Sequence, residues 1–136
     1  MTTRRDARRL AIDVLYQADI TGAEPADVLE SWRHADRSVP PFARELVAGV
    51  VEYGPEIDLM LEERAEDWTV ARMAALDRTI LRVAVFELRH RADIPPSVAI
   101  SEAVEAASEL SSDESKGFVN GVLGRIAREP GGASTS

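Results

Sequence analysis

The chain contains 136 residues and no cysteine, with 24 acidic and 16 basic side chains, two histidines and a hydrophobic fraction of 45%. This length suits one compact domain with a real core, and the lack of cysteine excludes disulfides, thiolate metal ligands and thiol nucleophiles. The two histidines, His34 and His90, lie far apart in the sequence, so we predict neither a metal site nor a cofactor. No apolar run approaches a membrane span or a signal peptide, which predicts a cytoplasmic protein.

The charges of this acidic chain are unevenly distributed. A formal net charge of −8 argues against a protein that holds nucleic acid by charge alone, because phosphate neutralisation supplies most non-specific affinity. Basic side chains nevertheless concentrate in residues 1–12, 72–93 and 116–128, and acidic ones in 56–67 and 101–115. A basic sector on an acidic protein is typical of a binder that needs help from a partner.

Apolar residues recur at helical spacing along the first half of the chain, and no strictly alternating run marks a strand. The pattern predicts a first helix over residues 4–20, which ends at Gly22 in a left-handed cap. A weaker second helix is predicted over residues 25–35. Pro40 and Pro41 begin a third helix, which the Gly54-Pro55 pair breaks before a fourth.

The second half of the chain contains the most hydrophobic predicted helix, over residues 74–91, which follows a connector at 66–69. Its apolar residues cover more than half of its circumference, so we expect a central helix that is buried on several sides. A sixth helix is predicted over residues 98–110. A seventh runs to about Arg128 behind a capping box formed by Ser111 and Glu114.

These elements predict an all-α fold, a compact bundle of about seven helices. Residues 1–129 form one domain in this interpretation, and the polar tail at residues 130–136 is predicted to be disordered.

Motifs that carry catalysis are missing from the sequence. We find no glycine-rich phosphate loop, nucleophile elbow or paired-histidine helix, and therefore predict no catalytic residues and no enzyme. Two groups of carboxylates lie at helix-neighbour spacing, where acid–base pairs or Mg²⁺ are conceivable, but the pattern favours ordinary solvated acidic faces. The groups are Asp58, Glu62 and Glu63, and Glu102, Glu105 and Glu109.

The first predicted helix carries a row of basic residues beside its apolar stripe. Arg5, Arg9, Ile12 and Tyr16 fall within a sector of about 60°. Arginine pairs with phosphates or stacks on bases, and tyrosine stacks an unpaired base, so the row is typical of single-stranded RNA recognition. The alternative is an exposed basic helix start with Tyr16 at the edge of the core. Because arginines near a helix N-terminus oppose the helix dipole, stability does not explain them.

The last predicted helix has Gly117, Gly121 and Gly124 in one sector, although each interior glycine costs about 1 kcal/mol relative to alanine. A closely packed helix is the commoner explanation, and a ligand backbone approaching that face is the other. Lys116 and Asn120 lie one turn apart in an adjacent sector. Asn120 offers a donor and an acceptor to a base edge, but both side chains are also compatible with simple solvation.

The C-terminal third of the chain resembles a known family. Residues 117–123, preceded by residues 113–115, are similar to the C-terminal signature of the NusB family of bacterial transcription antitermination factors. The similarity covers nearly the whole chain and is most specific in residues 76–123. Upstream, it includes residues 76–84, 86–88, 93–95 and 98–104, and in the first helix Arg8, Ala11, Leu15 and Tyr16.

The resemblance implies an all-helical domain of two helical subdomains that regulates transcription. Family members bind the boxA segment of nascent ribosomal RNA together with NusE, a ribosomal protein, and act on elongating RNA polymerase with other Nus factors. Asp77 corresponds to an acidic NusE contact. The RNA-binding residues implied by the resemblance are Arg4, Arg5, Arg8, Tyr16, Arg82, Glu114, Ser115, Lys116 and Phe118. The basic row and the last helix add Arg9 and Asn120 as candidates.

Two other interpretations come from different classes of protein. The same helical domain resembles the N-terminal part of certain ribosomal RNA cytosine methyltransferases, but we expect no enzyme because 136 residues leave no room for a cofactor-binding α/β domain. The second is a helix-bundle adaptor or homodimer without selective RNA binding. For Phe118 the sequence leaves two positions open, one in the core and one in contact with an RNA base. Its place in the apolar stripe favours the core.

Overall fold

The computed structural model describes residues 3–35, 38–65 and 69–128, and within them it contains seven α-helices, one short 3-10 helix and no strand. The all-α prediction is confirmed. The predicted tail at 130–136 and most of the predicted connector lie outside the described residues. In chain order the elements are α1 (Arg4–Thr21), α2 (Pro25–His34), α3 (Pro41–Glu52), α4 (Gly54–Arg64), the 3-10 helix (Val70–Arg72), α5 (Ala75–His90), α6 (Pro96–Leu110) and α7 (Asp113–Ala127).

Local sequence signals set both ends of α1. The Thr3 hydroxyl accepts a hydrogen bond from the Asp6 backbone N–H at 3.1 Å, and the Asp6 carboxylate accepts one from the Thr3 N–H at 3.4 Å, which together form a capping box. Gly22 ends the helix with φ = 79°, a left-handed conformation that glycine adopts without strain. Asp6 therefore lies among the arginines because it caps the helix that carries them.

Two predicted helix starts are shifted in the structure. The predicted Ser111–Glu114 capping box is wrong, because Ser112 is the N-cap of α7 and its hydroxyl accepts a hydrogen bond from the Ser115 N–H at 3.1 Å. Helix α6 begins at Pro96, earlier than predicted. Proline is well suited to a first helical turn, where its missing N–H leaves no hydrogen bond unmade.

Helix α5 is the centre of the fold, as its hydrophobic pattern predicted. It packs against α1, α3, α4, α6 and α7. Helices α1, α2 and α3 pack together on one side, and α4, α6 and α7 join α5 in the second group. Glu87 of α5 is buried with the apolar residues around it. No described helix has the length and hydropathy needed to cross a bilayer.

Candidate nucleic-acid interface

The arginines at the start of α1 point in three directions. Arg4 is exposed at the end of the helix, with its guanidinium 4.6 Å from the centroid of the Phe42 ring and 3.7 Å from the Asp93 carboxylate. Arg5 and Arg9 lie one turn apart and reach the neighbouring helix α6. Arg8 points into the protein. The four arginines at the start of α1 are therefore divided between the surface and the core, and the two arginines of the predicted basic row, Arg5 and Arg9, lie together against α6.

Arg5 and Arg9 form ion pairs with carboxylates of α6. Arg5 donates two hydrogen bonds to Glu102, at 3.1 and 2.9 Å, and Arg9 donates one to Glu109 at 2.8 Å. The hydrogen bond from Arg5 lowers the pKa of the Glu102 carboxyl, and that from Arg9 lowers the pKa of Glu109. The prediction of a purely solvated acidic face is wrong for these two residues, because α1 lies close enough to pair with them.

Arg8 is buried in a second kind of ion pair. Its Nε and Nη2 donate hydrogen bonds of 2.7–3.0 Å to Glu87, and the side chains are 8% and 1% exposed. The inference that stability does not explain the arginines is thus wrong for Arg8. Because both members lie inside the fold, the structure does not present Arg8 to an external phosphate, and its predicted role in RNA binding stays a prediction.

The start of α7 is tied to α5 through a buried carboxylate. Asp77 is 9% exposed, and its Oδ2 accepts a hydrogen bond of 3.0 Å from the Ser115 hydroxyl. The Oδ1 atom is also buried and has no hydrogen-bond partner among the described residues. Since an unsatisfied buried acceptor costs free energy, this oxygen is suited to a donor from outside the chain.

A groove of about 350 Å³ opens beside Asp77. Glu114, Ser115 and Phe118 line it together with Asp77. Phe118 packs partly against the core and is half-buried, which supports the core position in part, while a base contact stays a prediction. The Ser115 hydroxyl is already bonded to Asp77 and to neighbouring serines, which leaves the exposed Glu114 as the polar group at the rim.

Lys116 and Asn120 line a separate, larger groove of about 480 Å³ between α6 and α7. Both side chains are exposed, and Lys116 forms no ion pair with any described residue. Hydroxyl groups face them from α6, including those of Ser101 and Ser108. Hydroxyl, amide and ammonium groups in one groove can bind a phosphate–sugar backbone, but the Glu105 carboxylate also lines this groove, and the RNA-binding role of Lys116 and Asn120 stays a prediction.

The glycine sector of α7 faces open space. A Cβ atom added to Gly117 meets no heavy atom of the described residues within 4 Å, and Cβ atoms added to Gly121 and Gly124 have arginine side-chain nitrogens as their nearest described neighbours, at 3.9 and 3.5 Å. The preferred explanation, a closely packed helix, is therefore wrong. The approach of an external backbone to this bare face remains a hypothesis.

Alanine in place of Gly117 or Gly121 is expected to raise the free energy of unfolding by about 0.8–1 kcal/mol each, because alanine is the better helix former and its methyl group has room. Urea unfolding followed by circular dichroism measures this. A loss of stability in either variant would show that the isolated protein already packs something against this face.

Arg82 and Tyr16 lie away from the α6–α7 groove. Arg82 donates hydrogen bonds of 2.9 and 3.0 Å to Asp58 and lies 3.8 Å from Asp19. It lines a groove of about 260 Å³ that neither Asp77 nor Lys116 reaches. Tyr16 is half-buried on α1, as expected for a ring at the edge of the core. The predicted RNA-binding residues therefore do not form one continuous cluster.

Sequence reasoning missed the partners of the arginines. The functional candidates were chosen for positive charge, whereas the structure pairs each of Arg5 and Arg9 with a carboxylate about 100 residues away. Local spacing does not identify these partners, because Arg5 and Arg9 are one turn apart on α1 whereas Glu102 and Glu109 are two turns apart on α6.

Known proteins match almost the whole chain. A model described as the NusB family matches residues 5–128. The transcription antitermination protein NusB of Clavibacter sepedonicus is 50% identical over 133 residues, covering 93% of this chain and 97% of that protein. The protein of the same name from Saccharopolyspora erythraea is also 50% identical, over 93% of this chain and 88% of its own length.

Two solved structures share the arrangement of the helices. T. maritima NusB superposes with a TM-score of 0.85 at 33% identity, covering 94% of this chain and 92% of that one. A chain from a complex of the antitermination factors NusB and NusE with double-stranded RNA superposes with a TM-score of 0.82 at 26% identity. This second match covers 92% of this chain and 96% of that one.

Proposed function

Because this chain belongs to the NusB family, we propose that it is an RNA-binding transcription antitermination factor without catalytic activity. It recognises the boxA element of nascent ribosomal RNA together with NusE, and acts in the cytoplasm on elongating RNA polymerase with other Nus factors. Residues 1–129 act as one domain. The observation that carries this proposal is the likeness, over 92% of the chain, to a protein solved with both NusE and RNA.

The surface arginines of α1 support the RNA-binding part of the proposal. Arg4 and Arg5 are each more than half exposed, and a guanidinium binds a phosphate in a bidentate fork. Because the net charge of the protein is −8, a small number of such contacts gives only weak RNA binding. A basic partner that adds further contacts makes RNA binding tighter.

The pocket at Asp77 supports the NusE part. A buried carboxylate oxygen without a donor among the described residues, beside a groove with a half-exposed aromatic ring, offers a partner both a charge-assisted hydrogen bond and apolar contact. Arginine is the partner side chain that suits this combination best, since it is basic, planar and able to stack on Phe118.

A fluorescence titration of boxA RNA against a scrambled RNA of equal length, with and without NusE from the same organism, tests the proposal. We expect tighter binding of boxA than of the scrambled RNA, and a further gain for boxA when NusE is present. Equal affinity for both RNAs in both conditions would contradict the proposal and favour the adaptor or homodimer alternative.

The double variant Arg4→Ala with Arg5→Ala is expected to weaken boxA binding and to flatten its salt dependence, by up to about 0.7 in the logarithmic slope for each phosphate that is no longer neutralised. Titrations at several salt concentrations measure both effects. Arg33→Ala is the matched control, since Arg33 is an exposed arginine whose ion pair lies within its own helix α2. If the double variant behaves like the control, α1 does not bind RNA through these residues.

A further inference from the structure

The surface ion pairs between α1 and α6 place carboxylates where RNA phosphates are expected. Glu102 presents both of its oxygens to the Arg5 guanidinium, and Glu109 presents one to Arg9. A carboxylate and a phosphate offer a guanidinium the same planar pair of acceptor oxygens. Each guanidinium can therefore form its strongest pair with only one of them at a time.

The exposure of these pairs separates them from the buried pair of Arg8 with Glu87, although Glu102 Oε1 also lies 4.0 Å from Arg8 Nη1. Arg5 is 54% exposed and Glu102 16%, while Arg9 is 22% exposed and Glu109 54%. Each surface pair thus has one member that is free to move into solvent without opening the core. Exposed pairs of this kind contribute little to stability, so exchanging the carboxylate for another anion is feasible.

We propose that Glu102 and Glu109 compete with RNA phosphates for Arg5 and Arg9, so that this face binds RNA only when other contacts contribute. This inference rests on the proposed function and describes how RNA binding at the same surface is regulated. An RNA that relies on phosphate contacts alone must first displace the carboxylates. An RNA that also contacts bases, α7 or NusE has enough additional affinity to do so.

The two pairs differ in geometry, so removing each carboxylate is expected to change RNA affinity by a different amount. Glu102 holds Arg5 through two hydrogen bonds, whereas Arg9 gives Glu109 a single bond and keeps its Nη2 buried without a hydrogen-bond partner in the described part of the chain. A bidentate pair is the stronger competitor. Removing the Glu102 charge is therefore expected to have the larger effect.

The test measures RNA binding of Glu102→Gln, Glu109→Gln and the double variant without NusE, using boxA and scrambled RNA. We expect affinity to rise about threefold, twofold and sixfold, respectively, as for exposed ion pairs of ordinary strength. Both RNAs should gain by the same factor, because phosphate contacts carry no sequence information. The dependence of the logarithm of affinity on the logarithm of salt concentration should steepen by up to about 0.7 for each pair removed. In the wild type the displaced carboxylate takes up a cation from solution, and the variants have no such carboxylate.

Glu52→Gln is the control. It removes one negative charge from an exposed side chain of α3, and Glu52 forms no hydrogen bond or ion pair with any described residue. Because screening weakens longer-range effects at about 0.15 M salt, its affinity should rise less than about 1.5-fold. Urea unfolding provides a second readout, since a merely structural role predicts lower stability without tighter RNA binding.

If wild type binds boxA and the Glu102 and Glu109 variants bind RNA no more tightly than Glu52→Gln, this inference is overturned and the proposed function stands. If no variant binds RNA, even when NusE is added, the proposed function and this inference are overturned together.

Discussion

Arg8→Ala is expected to lower the free energy of unfolding by about 3–5 kcal/mol, the largest effect of any single substitution predicted for this protein. The reason is the carboxylate that remains. Glu87 is 1% exposed and accepts all of its short hydrogen bonds from Arg8, so the variant leaves a buried negative charge without its main partner. Urea unfolding at neutral pH, followed by circular dichroism, measures the change.

The double variant Arg8→Met with Glu87→Leu is the control for that prediction. Replacing both members of a buried pair by apolar side chains of similar size is often close to neutral, so most of the stability should return. A decrease below about 1 kcal/mol in Arg8→Ala would show that water reaches Glu87, and that the pair is not buried as described. The double variant also tests Arg8 in RNA binding, because it removes the guanidinium while preserving the fold.

Gly49→Ala is expected to lower the free energy of unfolding by about 2 kcal/mol, because it overfills a well-packed contact between α3 and α5. A Cβ atom at this position overlaps the Cε1 and Cζ atoms of the Phe86 ring. That ring is buried and stacks near Tyr53 and His90, with centroid distances of 6.2 and 5.8 Å, so it has little room to move. The overlap outweighs the gain in helix propensity, which is about 1 kcal/mol.

Phe86→Leu distinguishes steric overlap from other causes of the Gly49→Ala effect. In the Phe86→Leu background the new methyl group meets a smaller side chain, and Gly49→Ala should cost at least about 1 kcal/mol less than in the wild type. Gly121→Ala, on an open helix face, is expected to raise the free energy of unfolding instead of lowering it. Equal costs in both backgrounds would show that the Phe86 ring is not the obstacle.

These stability predictions bear on how RNA-binding variants are interpreted. A weaker RNA complex in Arg8→Ala has two explanations, the removal of a phosphate-binding group and a partly unfolded protein, and only the unfolding measurement separates them. Arg4 and Arg5 are free of this ambiguity because both are exposed and their ion pairs lie at the surface. They are the better residues for testing the RNA interface.

Local sequence patterns determined the secondary structure and the central place of α5. Helical periodicity, the glycine and proline positions and the wide apolar surface of α5 depend on residues within a few turns of each other, so they can be recognised without a fold. The same reasoning placed Arg5 and Arg9 in one basic row along α1, but it identified neither the partners of these two arginines nor the burial of Arg8.

Only the tertiary structure decided what each of those arginines does. Arg8 meets Glu87, which is 79 residues away, while Arg5 meets Glu102, which is 97 residues away, and neither encounter follows from local spacing. The same holds for Asp77 and Ser115, and for the glycines of α7, whose open face is visible only once every neighbouring helix is placed. Charge and periodicity are properties of a segment, but burial and pairing are properties of the contacts between segments. For this reason the sequence determined the helices, whereas the fold determined the burial and the partner of each arginine.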